Sequence, residues 1–235
     1  MAESFDRRAF LVAAAAGSAA LSSRAQRVSS ARRWVRIHLA GGPSHVDLFD
    51  PKSISPFGSI PTRIPGVRLS ALLPRVAARL DRFCLIRSVT GMVEAHAWPF
   101  ARSAGRCVAL EDVNAALEAG ATNLAVRVSG WDLHADLVHR LPPLATALDH
   151  ALADLFDGLR AWGLWDETQI IVSGEFGRSP ILNRHGGRDH WPAVMTCILA
   201  GGGMPSGHVI GATDSQGCEP VRDAVTWAEV QALLA

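Results

Sequence analysis

Leu141, Leu144, Leu148, Leu152, Leu155, Leu159 and Trp162 step along the chain by three or four residues. That spacing places them on one face of a helix over residues 141–163, and such a face must be buried against another element. Pro142 and Pro143 are tolerable only in a first helical turn, so they mark its start. Asp166-Glu167-Thr168 then turns the chain into residues 169–173, apolar on both faces as a central parallel strand is. Residues 194–200 form another such run, closed by Gly201-Gly202-Gly203. Upstream, residues 34–40 read as a strand ending in Gly41-Gly42-Pro43, residues 83–89 as a second and residues 123–129 as a third. Ser70 caps a predicted helix over 71–81, with Leu72, Leu73, Val76 and Leu80 on one face. A shorter helix over 110–119 ends at Gly120, and Thr226 caps a last one. Residues 51–68, rich in Pro, Gly and Ser, read as an irregular surface loop. From 90 to 106 the pattern weakens, and Glu94, His96, Trp98 and Pro99 sit there without periodicity.

Strands alternating with helices predict an α/β fold with a mainly parallel sheet flanked by helices. The 235 residues, 49% of them hydrophobic, suffice for one sizeable domain or at most two small ones, and we read residues 29–235 as one. Residues 1–28 read as a signal peptide. Arg7-Arg8 precedes a weakly apolar, alanine-rich run over 10–21, and Ser22, Ser23 and Ala25 follow, a twin-arginine pattern that predicts export to the periplasm or envelope. The run is too short to span a bilayer comfortably; a buried alanine-rich helix is the other reading. A net charge of +1 gives no electrostatic case for nucleic acid. Cys84, Cys107, Cys197 and Cys218 form no CxxC pair, which disfavours a thiolate zinc site. Cys84 and Cys197 lie in apolar runs and read as core; Cys107 and Cys218 could pair in an oxidising compartment, which sequence alone does not decide.

In a parallel sheet the loops at the carboxyl ends of strands form the site. Gly130-Trp131-Asp132-Leu133-His134 and Gly174-Glu175-Phe176-Gly177-Arg178 fall at such ends, as does the stretch from Gly41 to His45, and Gly187-Arg188-Asp189-His190-Trp191-Pro192 is a further loop beside a hydrophobic run. Asp and His bind metals, and both are costly to bury unpaired. Asp132, His134, Glu175, Asp189 and His190 are therefore candidate metal ligands, capping or simple hydrogen bonding being the plainer alternative. Arg178 or Arg188 could clamp an anionic group bidentately, or form salt bridges. His45 and His96 are weaker candidates.

Gly41-Gly42-Pro43-Ser44-His45-Val46-Asp47, followed in order by the three loops above, by Ala200-Gly201-Gly202-Gly203 and by Val209-Ile210-Gly211-Ala212-Thr213-Asp214, resembles a bacterial family. It is the exported, sulfatase-like family called domain of unknown function 1501, similar to a branch of the alkaline phosphatase superfamily. The resemblance implies a reduced alkaline-phosphatase-like fold. It also implies metal-dependent hydrolysis of phosphate or sulfate esters with one or two divalent ions (zinc, calcium or manganese). The substrate would be a small anionic ester or a sulfated or phosphorylated glycan. By that resemblance the first strand should end in a metal-binding aspartate; Ala40-Gly41-Gly42 stands there, leaving Asp47, Ser44 or His45 to substitute. Glu175 stands where an Asp-His pair is usual, with His190 supplying the imidazole, and Asp132 and His134 resemble the preceding pair. Ser88 and Thr90 are the nucleophile candidates by position. Cys84 lacks the Pro and Arg context for conversion to formylglycine. Family members are usually longer, and the stretch missing here falls between Pro99 and Glu118. A non-catalytic envelope binding or scaffold protein is the second reading, and an anion-binding protein using the glycine-rich loops a third.

Overall fold

The computed structural model describes residues 32–96 and 105–232. The twin-arginine segment, Trp98 and Pro99 lie outside these residues. Strand β1 (Arg33–Leu39) is followed by a 3-10 turn (His45–Asp47), the hairpin β2 (Ser59–Pro61) and β3 (Arg68–Ser70), the short helix α1 (Pro74–Ala77) and a 3-10 turn (Leu80–Arg82). Then come β4 (Phe83–Thr90), β5 (Arg106–Val108), α2 (Val113–Glu118), β6 (Asn123–Val128), the long helix α3 (Leu137–Ala161) and β7 (Thr168–Ser173). The chain ends with β8 (Gly177–Arg178), β9 (His190–Trp191), β10 (Met195–Gly201), β11 (His208–Ile210), β12 (Ala212–Thr213), β13 (Pro220–Arg222), β14 (Val225–Thr226) and α4 (Trp227–Ala232).

The main sheet has eight strands in the order β11-β4-β10-β7-β1-β6-β5, with β14 also pairing β4. Pairing is parallel throughout except along β10, which runs antiparallel to both β4 and β7. The expectation that 194–200 is a further parallel strand is therefore corrected. A parallel return needs a crossover over one face of the sheet. Residues 174–194 contain no helix and stay at the edge where β7 ends, so the chain can only come back down. β7 lies between β1 and β10 and is buried along its whole length.

Alternation divides the core in two. Ile170, Val172, Ile198, Ala200 and Leu85 face a cluster with Leu141, Leu148, Leu152, Leu155, Phe156 and Leu159 of α3. Ile171, Cys197, Leu199, Cys84 and Ile86 face the opposite side, under Trp227 and Val230 of α4. Burial pushes the thiols of Cys84 and Cys197 up, to about 12 for Cys84.

Three other expectations change. α3 begins a turn earlier than its apolar stripe implies, so Pro142 and Pro143 lie inside it. Their missing N–H groups orphan the carbonyls of Val138 and His139, and both residues are exposed to water. The helix is started by Asp136 in a left-handed conformation and by Leu137 N–H donating to Gly186 O. The predicted 71–81 helix shrinks to α1 and a 3-10 turn, because Pro74 takes the first helical position and Ser70 belongs to β3. Within 51–68, supposed irregular, β2 pairs with β3. Thr226 does cap α4: its hydroxyl accepts from Glu229 N–H, and Glu229 Oε2 accepts from Thr226 N–H. None of the described helices is long and apolar enough to cross a membrane.

Asp149 of α3 is buried and caps α1 at a distance in sequence, accepting the N–H of Arg75 (3.0 Å) and of Val76 (2.7 Å). Asp149→Ala leaves both donors without a partner. It should lower unfolding free energy by about 1–3 kcal/mol in urea titrations, with Asp149→Asn recovering part of the loss. Equal stability of Asp149→Ala and the parent would contradict this cap.

Candidate metal centre

β1, β4, β6 and β7 are mutually aligned, so their carboxyl ends share one edge of the sheet. Four segments leave from that edge: Gly41-Gly42 after β1, Gly91 to His96 after β4, Gly130 to His134 after β6 and Gly174-Glu175 after β7. β9 returns His190 to the same place just before β10 enters the sheet. Two glycines permit the crowding. A Cβ on Gly41 (φ +113°) would stand 2.3 Å from Asp132 N, and one on Gly187 would stand 2.0 Å from the carbonyl carbon of His134.

The structure brings Asp132, His134, Glu175, Asp189 and His190 together and adds His96 to them. Asp132 Oδ1 lies 3.0 Å from His134 Nε2 and 3.3 Å from His190 Nε2, and those two nitrogens are 3.0 Å apart. His134 Nε2 also faces Arg178 Nη1 at 3.3 Å. A guanidinium only donates, so His134 Nε2 offers its lone pair and Nδ1 carries the proton. That proton goes to Asp189 Oδ1 at 3.0 Å, and Asn183 holds the same oxygen at 2.9 Å. A carboxylate behind an imidazole, fixing which nitrogen points forward, is the usual outer support of a metal-binding histidine.

Two imidazole nitrogens and a carboxylate oxygen separated by 3.0–3.3 Å repel one another unless a proton or a cation sits between them. Ligands held 2.0–2.1 Å from a tetrahedral ion are spaced by about 3.3–3.4 Å. The donor set therefore fits a metal ion in chemistry and in spacing. His190 is further held by its ring against Phe176, with centroids 4.4 Å apart.

Glu175 sits behind this triad. It is 2% exposed; Oε2 is 2.9 Å from His38 Nε2, and Oε1 accepts Gly41 N–H at 2.8 Å and lies 2.9 Å from His96 Nδ1. Burial pushes its carboxyl up, but the bonds from His38, His96 and Gly41 outweigh that and hold it at about 2. Partial burial likewise raises Asp132, and the adjoining Arg178, with His190 and His134, brings it below the usual carboxylate range. Asp189 is lowered by its bonds from Asn183 and His134.

The other candidates lie elsewhere or are already engaged. Arg188 is not placed to clamp an anion. It is fully buried, with Nε and Nη2 on Asp47 (2.6 and 3.0 Å) and Nη1 on the carbonyls of Ser179 and Pro180. Asp47, which also accepts from Ser44 Oγ at 2.6 Å, is thereby a buried ion-pair partner instead of a ligand, and Ser44 is engaged with it. His45 is enclosed, burial lowers its pKa, and Nε2 donates to Gly217 O at 2.7 Å. Arg178 spends every N–H on the protein: Gly42 O, Gly41 O, Arg188 O, Asp132 Oδ1 and His134 Nε2. Ser88 Oγ donates to Asp223 O at 2.6 Å, and Thr90 ends β4 in register with Thr226. Cys107 and Cys218 are free thiols. His96, ranked low as a lone loop histidine, had a usable signal: Glu94-Ala95-His96 repeats the carboxylate-x-imidazole spacing of Asp132-Leu133-His134.

A carboxylate with a folded pKa below its unfolded one stabilises the fold above the unfolded value, and the contribution fades as pH falls toward the folded value. For Glu175 that window runs from about 4.3 down to about 2. Glu175→Gln should cost on the order of 3 kcal/mol at pH 7, and its deficit should narrow below about pH 4. Unfolding free energies of both proteins from pH 7 to pH 3 measure this. A deficit that stays constant over that range would contradict the assignment.

No curated protein matches this chain. Residues 31–106 and 112–234 match the family described as "Protein of unknown function (DUF1501)". The match spans most of the sequence, and the chain belongs to the DUF1501 family.

Proposed function

We propose that this protein is an exported, metal-dependent hydrolase of phosphate or sulfate esters, built on a reduced alkaline-phosphatase-like fold. The observation that carries the reading is the convergence of imidazole nitrogens on Asp132, backed by carboxylates, at the carboxyl edge of a mostly parallel sheet. Asp132 and His190 would hold the ion, with His134, whose Nε2 accepts from Arg178, lining the site beside them. A divalent ion so held supplies Lewis-acid polarisation of an ester oxygen and activation of water.

The protein's own groups do the rest. Asp189 keeps His134 in the tautomer that presents Nε2. Arg178 places a buried positive charge against Asp132; with its donors spent, it acts through its field and not as a fork on the substrate. The hydroxyls of Ser44 and Ser88 are donated elsewhere, which leaves water or Thr90 as the nucleophile. A shallow, solvent-open depression of about 430 Å³ lined by Gly91, Met92, Trp191, Pro192 and Ala193 includes the residue next to His190 and would take the organic part of a small ester or glycan. The engagement of both buried arginines also favours the second reading, an envelope binding or scaffold protein that keeps the fold without turnover.

Purified protein loaded with zinc, manganese or calcium should hydrolyse chromogenic phosphate or sulfate esters. Asp132→Asn and His190→Ala should lose about a hundredfold or more in kcat/KM, at least the scale on which even outer-shell changes act. Stoichiometric metal without turnover supports the scaffold reading, and absence of metal binding removes the hydrolase reading. For export, Arg7→Lys combined with Arg8→Lys should trap precursor in the cytoplasm. Normal delivery of that variant would remove the twin-arginine proposal.

A further inference from the structure

The segment Glu94-Ala95-His96, which leaves the end of β4, reaches the centre twice. His96 Nδ1 lies 2.9 Å from Glu175 Oε1. Glu175 is locked by His38 and Gly41, so it accepts the Nδ1 proton and turns Nε2 of His96 forward. That nitrogen is 3.8 Å from Asp132 Oδ2. The His96 ring stands edge-on to His190 at 4.8 Å and packs on Phe176 at 5.3 Å. Ligand atoms of His96, Asp132 and His190 all lie within 4.8 Å of one another. Two residues earlier, Glu94 Oε1 stands 3.4 Å from His190 Nδ1. The three imidazoles around Asp132 thus share one plan: Nδ1 toward a carboxylate (Glu175 for His96, Asp189 for His134, Glu94 for His190) and Nε2 toward the centre.

We propose that His96 is a metal ligand of this centre, that Glu94 and Glu175 are positioning residues for His190 and His96, and that the ion is a borderline transition metal of the zinc class. The donor chemistry selects the metal. Calcium takes six to eight oxygens and magnesium an octahedron of oxygens, whereas imidazole-rich sets suit zinc, cobalt and their neighbours. Glu175, the expected ligand from β7, has its oxygens occupied from behind and acts through His96. His96 would have to come closer to share the ion, since its Nε2 stands 3.8 Å from Asp132 Oδ2 and ligands around a tetrahedral ion at 2.0–2.1 Å lie about 3.3–3.4 Å apart. The proposal rests on the metal-dependent reading above but not on turnover.

The test is cobalt titration of the whole purified protein against a competing chelator, read by visible absorption. The parent should show the d–d bands of a low-coordinate, nitrogen-rich site, abolished by stoichiometric zinc and untouched by millimolar calcium or magnesium. His96→Ala should change the band shape and weaken binding by more than about a hundredfold. Glu94→Gln should keep the shape and weaken binding by about 10–100-fold, the usual cost of a lost orienting carboxylate. Both positions are exposed, and unchanged melting of each variant without metal checks that the fold is kept. Parent-like affinity and spectrum in His96→Ala, or displacement of cobalt by calcium, would overturn the proposal. Ester turnover combined with such a result rejects this assignment alone; a His96-dependent spectrum without turnover rejects the hydrolase reading alone.

Discussion

Arg178 is the buried charge around which the functional edge is organised. It is 1% exposed, and each of its five N–H groups has an acceptor in the protein. Those acceptors come from the turn after β1, the loop after β6 and the loop that carries β9. One guanidinium therefore fixes three segments far apart in sequence. Taking an ion out of water costs several kcal/mol, and only a complete set of partners in good geometry offsets it. The carbonyls of Gly41 and Gly42 reach Arg178 because both residues have positive φ and no side chain to intervene.

A second buried arginine does a different task with the same chemistry. Arg188 pairs with Asp47 inside the protein, where neither is exposed, and ties the 3-10 turn after β1 to the loop before β9. The two arginines explain how a loop rich in charged residues can lie buried against a sheet edge. They also leave the exposed side of the cluster to imidazoles and one carboxylate. Asp132 is half exposed while Glu175 behind it is not, so the site has a dry rear wall and a wet mouth.

Much of this was legible in the sequence, and the failures have physical causes. Strands β1, β4, β6 and β7 and helix α3 were readable because their apolar patterns are long and periodic. The loops bearing Asp132 and Glu175 were readable because topology sends the ends of parallel strands to one edge; His190 reaches that edge because β10 runs antiparallel. The direction of β10 was not, since an apolar run reads alike in either direction and only the missing crossover helix betrays it. The short β5, β8 and β9 carry too few residues for a period. The sequence leaves Arg178 and Arg188 open between anion clamp and salt bridge, because it shows a charge but not how many of its hydrogen bonds are already made. His96 was underrated because its neighbours have no periodicity; its partner, Glu175, is 79 residues away.

The central claim is that the carboxyl edge of the sheet is a metal centre at Asp132. Anomalous diffraction from crystals grown with zinc, measured on both sides of the zinc absorption edge, tests it most directly. The account predicts a peak about 2.0–2.2 Å from an Asp132 oxygen and from Nε2 of His190. Strong zinc peaks elsewhere, with His134 and His190 still bonded to each other and to Asp132, would contradict it.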